Sequence, residues 1–177
     1  MPDNKGNLFL FEALELRNFY DKQIKLYEKL LEEVSEKGNR LFSHSDDEER
    51  VPANEYNQKE IEEELKNIQT KRVKLNQEIQ TTNFNIKFDF QGESVTIAEA
   101  LEIKKNLIQS LEVLSTRVQK ASFKRVIHKE ERDIVYEPKD SLNKAKKEYF
   151  DSLNKIKLLV NEIHRQNHKR IIKFKDE

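Results

Sequence analysis

A short phrase occurs twice in the sequence, and this duplication limits the folds that the chain can adopt. EALEL at residues 12–16 returns as EALEI at residues 99–103. Two more matches follow in the same order: Glu78, Ile79 and Asn83 match Glu162, Ile163 and Asn167, and EER at residues 48–50 matches EER at residues 130–132. The sequence therefore predicts one domain at residues 1–177 that contains repeat one, at about residues 9–90, and repeat two, at about residues 95–175.

Four segments carry apolar residues at spacings of three and four, which is the period of an amphipathic helix. These segments predict helices at residues 13–34, at about 61–83, at 96–121 and at about 141–171. Gly38 and Asn39 predict the end of the first helix, and the polar run at residues 43–54 predicts a loop.

Short strand signals lie between these helices. Apolar and polar residues alternate over residues 85–90, which is the pattern of a half-buried strand, and Gln91 and Gly92 predict a turn. Thr96 and Glu99 have the spacing of a capping box at the start of a helix. Residues 124–128 and 133–137 predict a hairpin because both are rich in strand-forming residues.

The fold class follows from these elements. It is mainly α, with four long helices arranged as two duplicated helix-loop-helix units and with short β-hairpins in the connections. The composition agrees, because 37% of the residues are charged while glycine and proline number only three each. Each amphipathic pair needs a second pair to bury its remaining apolar face, so we expect a four-helix arrangement with pseudo-twofold symmetry.

Two of these motifs carry a resemblance to a known family. The helix-ending pattern I-x-x-x-N at residues 79–83, a short strand and turn, and the pattern T-x-x-E-A-L at residues 96–101 are similar to those of the septicolysin-like family of small bacterial proteins. The lysine-rich helices and a longer strand segment depart from the family pattern. The resemblance implies the fold and does not imply an activity.

Composition excludes several classes of function. The chain has no cysteine, which excludes disulfides, thiolate metal ligands and cysteine nucleophiles and is compatible with a reducing compartment. Basic and acidic residues number 33 each, so no overall charge attracts nucleic acid or a membrane. Neither an apolar leader nor a run of about 20 apolar residues is present. We expect a cytoplasmic protein that does not bind a membrane.

Four residues are candidates for holding a divalent metal. His164 and His168 lie four residues apart, which places both imidazoles on one helical face, but Arg165 stands where a zinc hydrolase needs a glutamate. Glu12 and Glu99 match between the repeats, so a symmetric fold would bring two carboxylates together. The competing interpretation is that each glutamate caps its own helix, and that the two histidines are exposed residues at a basic helix end.

Two further groups of residues are candidates for structural or binding roles. Asn83 and Asn167 match between the repeats, and asparagine commonly ends a helix in the left-handed conformation, so a structural role is predicted for both. Arg165, Lys169 and Arg170 lie in a basic stretch that offers phosphate contacts, although basic residues also stabilise the end of a helix.

The function that these observations favour is a non-enzymatic helical scaffold or interaction protein that forms a homo-oligomer. No cofactor is predicted, and no nucleotide-binding or serine-hydrolase motif is present. Two alternative functions stay open: a metal-binding protein or enzyme with a polar site between the repeats, and a nucleic-acid accessory protein that uses the basic C-terminal helix. A protein partner other than a second copy also stays open.

Overall fold

The computed structural model describes residues 6–35, 53 and 55–176. Its elements follow in the order β1 (Asn7–Phe9), α1 (Leu10–Ser35), α2 (Gln58–Asn85), β2 (Lys87–Phe90), β3 (Glu93–Thr96), α3 (Ile97–Ser122), β4 (Arg125–Ile127), β5 (Ile134–Tyr136), α4 (Leu142–Lys169) and β6 (Ile171–Lys173). The chain is mainly α, as predicted, with short antiparallel strand pairs between the helices. The predicted helix stop at Gly38 and Asn39 lies outside the described residues, as does the predicted loop at residues 43–54 apart from Ala53.

The prediction was wrong at the end of the last helix. The apolar periodicity predicted helix up to about Ile171, but α4 ends at Lys169 and Ile171 begins strand β6. Strands β1 and β6 were not predicted, and the predicted hairpin at residues 85–92 had no stated bounds for its second strand, β3. β1 and β6 have three residues each, which are too few to establish a period of two, and they pair with each other from distant parts of the sequence.

The chain forms two compact units, and the first comprises the described residues up to Thr82 together with those from Lys169 onward. Arg17 on α1 donates to the Asn76 side chain on α2 at 3.4 Å, and Arg72 on α2 donates to Asp21 on α1 at 2.9 Å. From the first contact to the second, the residue number rises on α1, from Arg17 to Asp21, and falls on α2, from Asn76 to Arg72. These two helices are therefore antiparallel. The core of this unit includes the buried side chains of Leu10, Ala13, Tyr20, Leu75, Ile79, Ile172 and Phe174.

The second unit comprises residues 83–168. It begins with the β2–β3 hairpin, whose turn residues Gln91 and Gly92 have φ of 54° and 87°. A positive φ at both central residues is what a type I′ hairpin turn requires, and the predicted turn is confirmed. The core of this unit includes Phe88, Val95, Ile97, Ala100, Ala121, Ala145, Leu159 and Ile163.

Corresponding elements of the two halves have the same local structure. Helices α1 and α3 have 26 residues each, and α2 and α4 have 28 each. Phe88 lies opposite Val95 in the β2–β3 pair, and Ile172 lies opposite Leu8 in the β1–β6 pair. The β2–β3 pair joins the end of repeat one to the beginning of repeat two through a turn. The β1–β6 pair joins the end of repeat two to the beginning of repeat one without a turn.

Candidate functional site

The glutamates matched between the repeats act as caps at the starts of their own helices. Glu99 accepts the backbone N–H of Thr96 at 2.7 Å, and the Thr96 hydroxyl oxygen accepts the backbone N–H of Glu99 at 3.1 Å, which completes the predicted capping box. Hydrogen bonds from the Thr96 backbone and side chain hold the pKa of Glu99 below its usual value. Glu12 accepts the backbone N–H of Phe9 at 2.8 Å, so it makes the equivalent contact at the start of α1.

Each of the two glutamates makes a hydrogen bond that caps its own helix. Glu12 lies in the first compact unit and Glu99 in the second. Among residues 6–35, 53 and 55–176, no group of three or more histidine, aspartate and glutamate side chains is arranged to hold a metal ion. A paired metal site that uses Glu12 and Glu99 stays a prediction.

The two histidines of α4 are exposed, and the residues between them have other contacts. Arg165 forms a two-pronged ion pair with Glu162, with its Nε and Nη2 atoms at 2.8 and 2.6 Å from the carboxylate oxygens. The buried Gln166 side chain also donates to Glu162, at 2.6 Å. Metal binding by His164 and His168 stays a prediction, and the Glu162 carboxylate on the same helix is held by Arg165 and Gln166.

The basic stretch after His164 does not form one helical surface. Arg165 lies on α4 in its ion pair, the exposed Lys169 ends that helix, and Arg170 lies between α4 and β6. The backbone carbonyl of Arg170 accepts the N–H of Leu10 at 2.7 Å. The three candidate residues therefore lie partly on α4 and partly in its connection to β6, and phosphate binding by them stays a prediction.

Asn83 and Asn167 lie inside helices and do not end them. Of the described residues other than glycine, Gln91 is the one with a positive φ, so neither asparagine has the left-handed conformation that the sequence suggested. Asn83 is buried near the end of α2, and Asn167 is half-buried near the end of α4. Both helices continue for two more residues before the chain enters a strand.

A cluster that the sequence did not predict surrounds Asp176. The hydroxyl of the buried Tyr20 donates to Asp176 at 2.5 Å, and the Lys71 ammonium lies 3.1 Å from the same carboxylate oxygen. Burial and the hydrogen bond to Asp176 raise the pKa of Tyr20 well above its ordinary value, and the hydrogen bonds from Tyr20 and Lys71 lower the pKa of Asp176. We call these three residues the Asp176 cluster.

One sequence signal pointed to this cluster, but it was weak. Tyr20 is a residue with a polar tip on the apolar stripe of α1, and a buried tyrosine hydroxyl usually finds a hydrogen-bond partner. The partner lies 156 residues further along the chain, so no local spacing could identify it.

An ion cluster fixes the connection between α3 and α4. The Arg117 guanidinium binds both oxygens of Asp140, at 2.6 and 2.9 Å, and also contacts Glu148 at 2.5 Å. The hydrogen bonds to Asp140 raise the pKa of Arg117, and the same contact lowers the pKa of Asp140. The three side chains pair with one another, so we assign them a structural role.

The same connection exposes a group of apolar side chains around the β4–β5 hairpin. This hairpin is confirmed as predicted, with Val126 directly opposite Val135. Large apolar residues in and beside it are exposed, and we call them the hairpin patch: Phe123, Val126, Val135, Tyr136 and Leu142. Phe123 is the most exposed of them, with 79% of its surface accessible.

These features define a mainly α protein with two antiparallel strand pairs at helix starts and a third in a helix connection. A crystal structure of a protein from Corynebacterium diphtheriae, described as functionally unknown and conserved, is similar to this chain with a TM-score of 0.68. The alignment has 21% sequence identity and covers 94% of this chain and 99% of that protein. No model of a protein family matches the chain, and no curated protein does. The similarity shows a shared fold.

Proposed function

We propose that this chain is a non-enzymatic helical scaffold whose copies associate with one another through the hairpin patch. The observation that carries the proposal is the concentration of exposed apolar side chains in the patch. Burying a side chain the size of phenylalanine or valine contributes about 1.5–3 kcal/mol. Val126 and Val135 lie directly opposite each other and therefore on one face of the hairpin, and a protein surface that covers this face gains stability.

The backbone of the hairpin supports the same proposal. β4 and β5 form a sheet of only two strands, with three residues in each. A two-stranded hairpin is marginally stable by itself in water, and each of its strands presents an edge that can pair with another strand. A partner that adds a strand would satisfy this edge and place its own side chains beside the valines.

The charges favour a second copy of this chain as the partner. Lys124 and Arg125 lie on the β4 side of the hairpin, whereas Asp133 and Glu137 lie on the β5 side. Within one hairpin, Lys124 contacts Glu137 at 2.7 Å and His128 contacts Asp133 at 2.8 Å. The β4 edge of one copy is therefore complementary in charge to the β5 edge of another.

The proposal also includes a family and a location. Membership of the septicolysin-like family is supported by the motifs at residues 79–83 and 96–101. A cytoplasmic location is supported by the absence of cysteine from the sequence. None of the described helices is long and apolar enough to cross a membrane.

Native mass spectrometry of the untagged protein, before and after a chelator, tests the proposed function. We expect a defined oligomer that keeps its mass when metal is removed. Val135→Lys should dissociate it, because the substitution places a charge in the patch. Val113→Lys is the matched control, since Val113 is a more exposed valine on α3, outside the patch.

The outcomes that would contradict the proposal are specific. A wild-type protein that is a monomer at micromolar concentration would refute self-association. Dissociation by Val113→Lys but not by Val135→Lys would show that the patch is the wrong surface. A stoichiometric mass lost on chelation would favour the metal-binding alternative, and Glu99→Gln should then abolish metal uptake.

A further inference from the structure

The segment at residues 170–176 is bound to the first compact unit in the manner of an extended peptide. β6 pairs with β1 in antiparallel register, and two flanking backbone bonds extend the pairing, from Leu10 N–H to the Arg170 carbonyl at 2.7 Å and from Phe174 N–H to the Gly6 carbonyl at 2.9 Å. The chain enters this unit at Lys169, whereas the rest of α4 belongs to the other unit.

The side chains of this segment alternate in a way that gives the site its specificity. Ile172 and Phe174 are buried, and Asp176, the next residue in that alternation, binds Tyr20 and Lys71. Ile171, Lys173 and Lys175 between them are exposed. The unit thus holds an extended segment with two apolar residues and one carboxylate at alternate positions, which is recognition by strand addition.

No turn connects this segment to its partner strand. In the equivalent β2–β3 pair, Gln91 and Gly92 join the strands directly, so that pair closes within one chain. β1 and β6 are separated by all four helices. β1 and β6 make the same backbone and side-chain contacts if they belong to one chain or to two copies of the chain. Exchange of β6 between copies therefore requires no new contact.

We propose that residues 170–176 exchange between copies, so that β6 of one chain pairs with β1 of a second chain in the same register. This inference rests on the proposed self-association and gives it a second, strand-exchanged contact. The residues that recognise the incoming segment are Leu8, Tyr20 and Lys71. In the exchanged form the chain changes direction at Lys169, the last residue of α4, and at Arg170, between α4 and β6.

Engineered cysteine pairs test the exchange, because the chain has no cysteine of its own. Asn7 lies opposite Lys173, and Asp89 lies opposite Ser94; all four residues are exposed. The neighbouring backbone hydrogen bonds place both pairs at positions without mutual hydrogen bonds, where Cα atoms are about 4.5 Å apart and a disulfide fits.

The experiment mixes single variants. Asn7→Cys and isotope-labelled Lys173→Cys are equilibrated together in a glutathione redox buffer, and the mixed disulfide is quantified by intact mass. Asp89→Cys mixed with labelled Ser94→Cys is the matched control, since its strands are held together by a turn. We expect at least about ten times as much disulfide between the two protein variants in the first mixture as in the second. Circular dichroism confirms that all four variants fold.

The outcomes separate this inference from the proposed function. Equal yields in the two mixtures, with an oligomeric wild-type protein, would overturn strand exchange and leave self-association through the hairpin patch intact. A monomeric wild-type protein would overturn both. An excess of mixed disulfide in the first mixture would support exchange, and it should disappear when Ile172→Ala is added to the Lys173→Cys chain.

Discussion

Truncation of Ile172 should detach the segment at residues 170–176 from the first unit. The side chain of Ile172 is 2% exposed and lies opposite Leu8. Replacement by alanine removes three carbons, which costs about 2.4 kcal/mol in lost transfer free energy and about 3 kcal/mol once the cavity is included. A change of about 3 kcal/mol raises the equilibrium constant for local opening by about 100-fold.

Amide hydrogen exchange measures this opening directly. The amides of Leu10 and Phe174 donate across the strand pair, so their protection reports on pairing between the two segments. We expect both to lose about two decades of protection in Ile172→Ala, while the amides of the β2–β3 hairpin keep theirs. The measurement is made by NMR under native conditions.

The neighbouring residue supplies the control for the same experiment. Ile171 is the same residue type in the same strand, but it is 57% exposed. Ile171→Ala should change the free energy of opening by no more than about 0.5 kcal/mol. Equal losses of protection in the two variants would refute the argument that burial of Ile172 holds the segment in place, and so would unchanged protection in Ile172→Ala.

Three further predictions concern the Asp176 cluster, the capping box and the β2–β3 turn. The hydrogen bond from Tyr20 lowers the pKa of Asp176 in the folded protein. The stability that the ionised carboxylate contributes is therefore complete above the ordinary carboxyl pKa of 3.8, and it is lost as the pH falls through the lower pKa of the folded protein. Local opening at Phe174, measured by amide hydrogen exchange, should therefore increase when the pH falls below 3.8. Asp176→Asn should remove the part of this pH dependence that comes from Asp176. Thr96→Ala should lower the free energy of unfolding by about 1 kcal/mol in a urea titration, and an unchanged midpoint would contradict the role of the cap. Gly92→Ala should cost about 1 kcal/mol in the same assay because φ is 87°, although a Cβ there would meet no atom within 4 Å. A destabilisation several times larger would point to a clash that the geometry excludes.

Elements that depend on neighbouring residues could be predicted from the sequence. The helices follow from apolar periodicity, the cap at Thr96 from a spacing of three residues, and the turn at Gln91 and Gly92 from residue type. The β4–β5 hairpin followed from strand-forming residues on both sides of a polar turn. In each case the stabilising contact lies within a few residues of the signal.

Contacts between distant residues could not be predicted in this way. β1 is three residues long, and its pairing with β6 is specified by complementary burial and by the Asp176 cluster. The same limit explains the error at Ile171, whose apolar character fits a helical stripe as well as a strand. For Asn83, residue type suggested a cap, but the helix continues and the side chain is buried within it.

The glutamates show how the structure limits a candidate site. Their match between the repeats was real, yet the contacts observed at Glu12 and Glu99 are local caps to Phe9 and Thr96. Sequence similarity between repeats identified residues with the same role. It could not distinguish a shared ligand from two copies of one structural contact.

The difference between the two strand pairs also determines the order in which they can form during folding. β2 and β3 are joined by two residues, and such hairpins close in about 1–10 μs. β1 can pair with β6 only after the chain between them, which contains all four helices, brings its two ends together. The loop-closure entropy of this pairing is therefore overcome only after the helices are in place. On a ribosome, β1 is synthesised first among these strands and completes its pairing last.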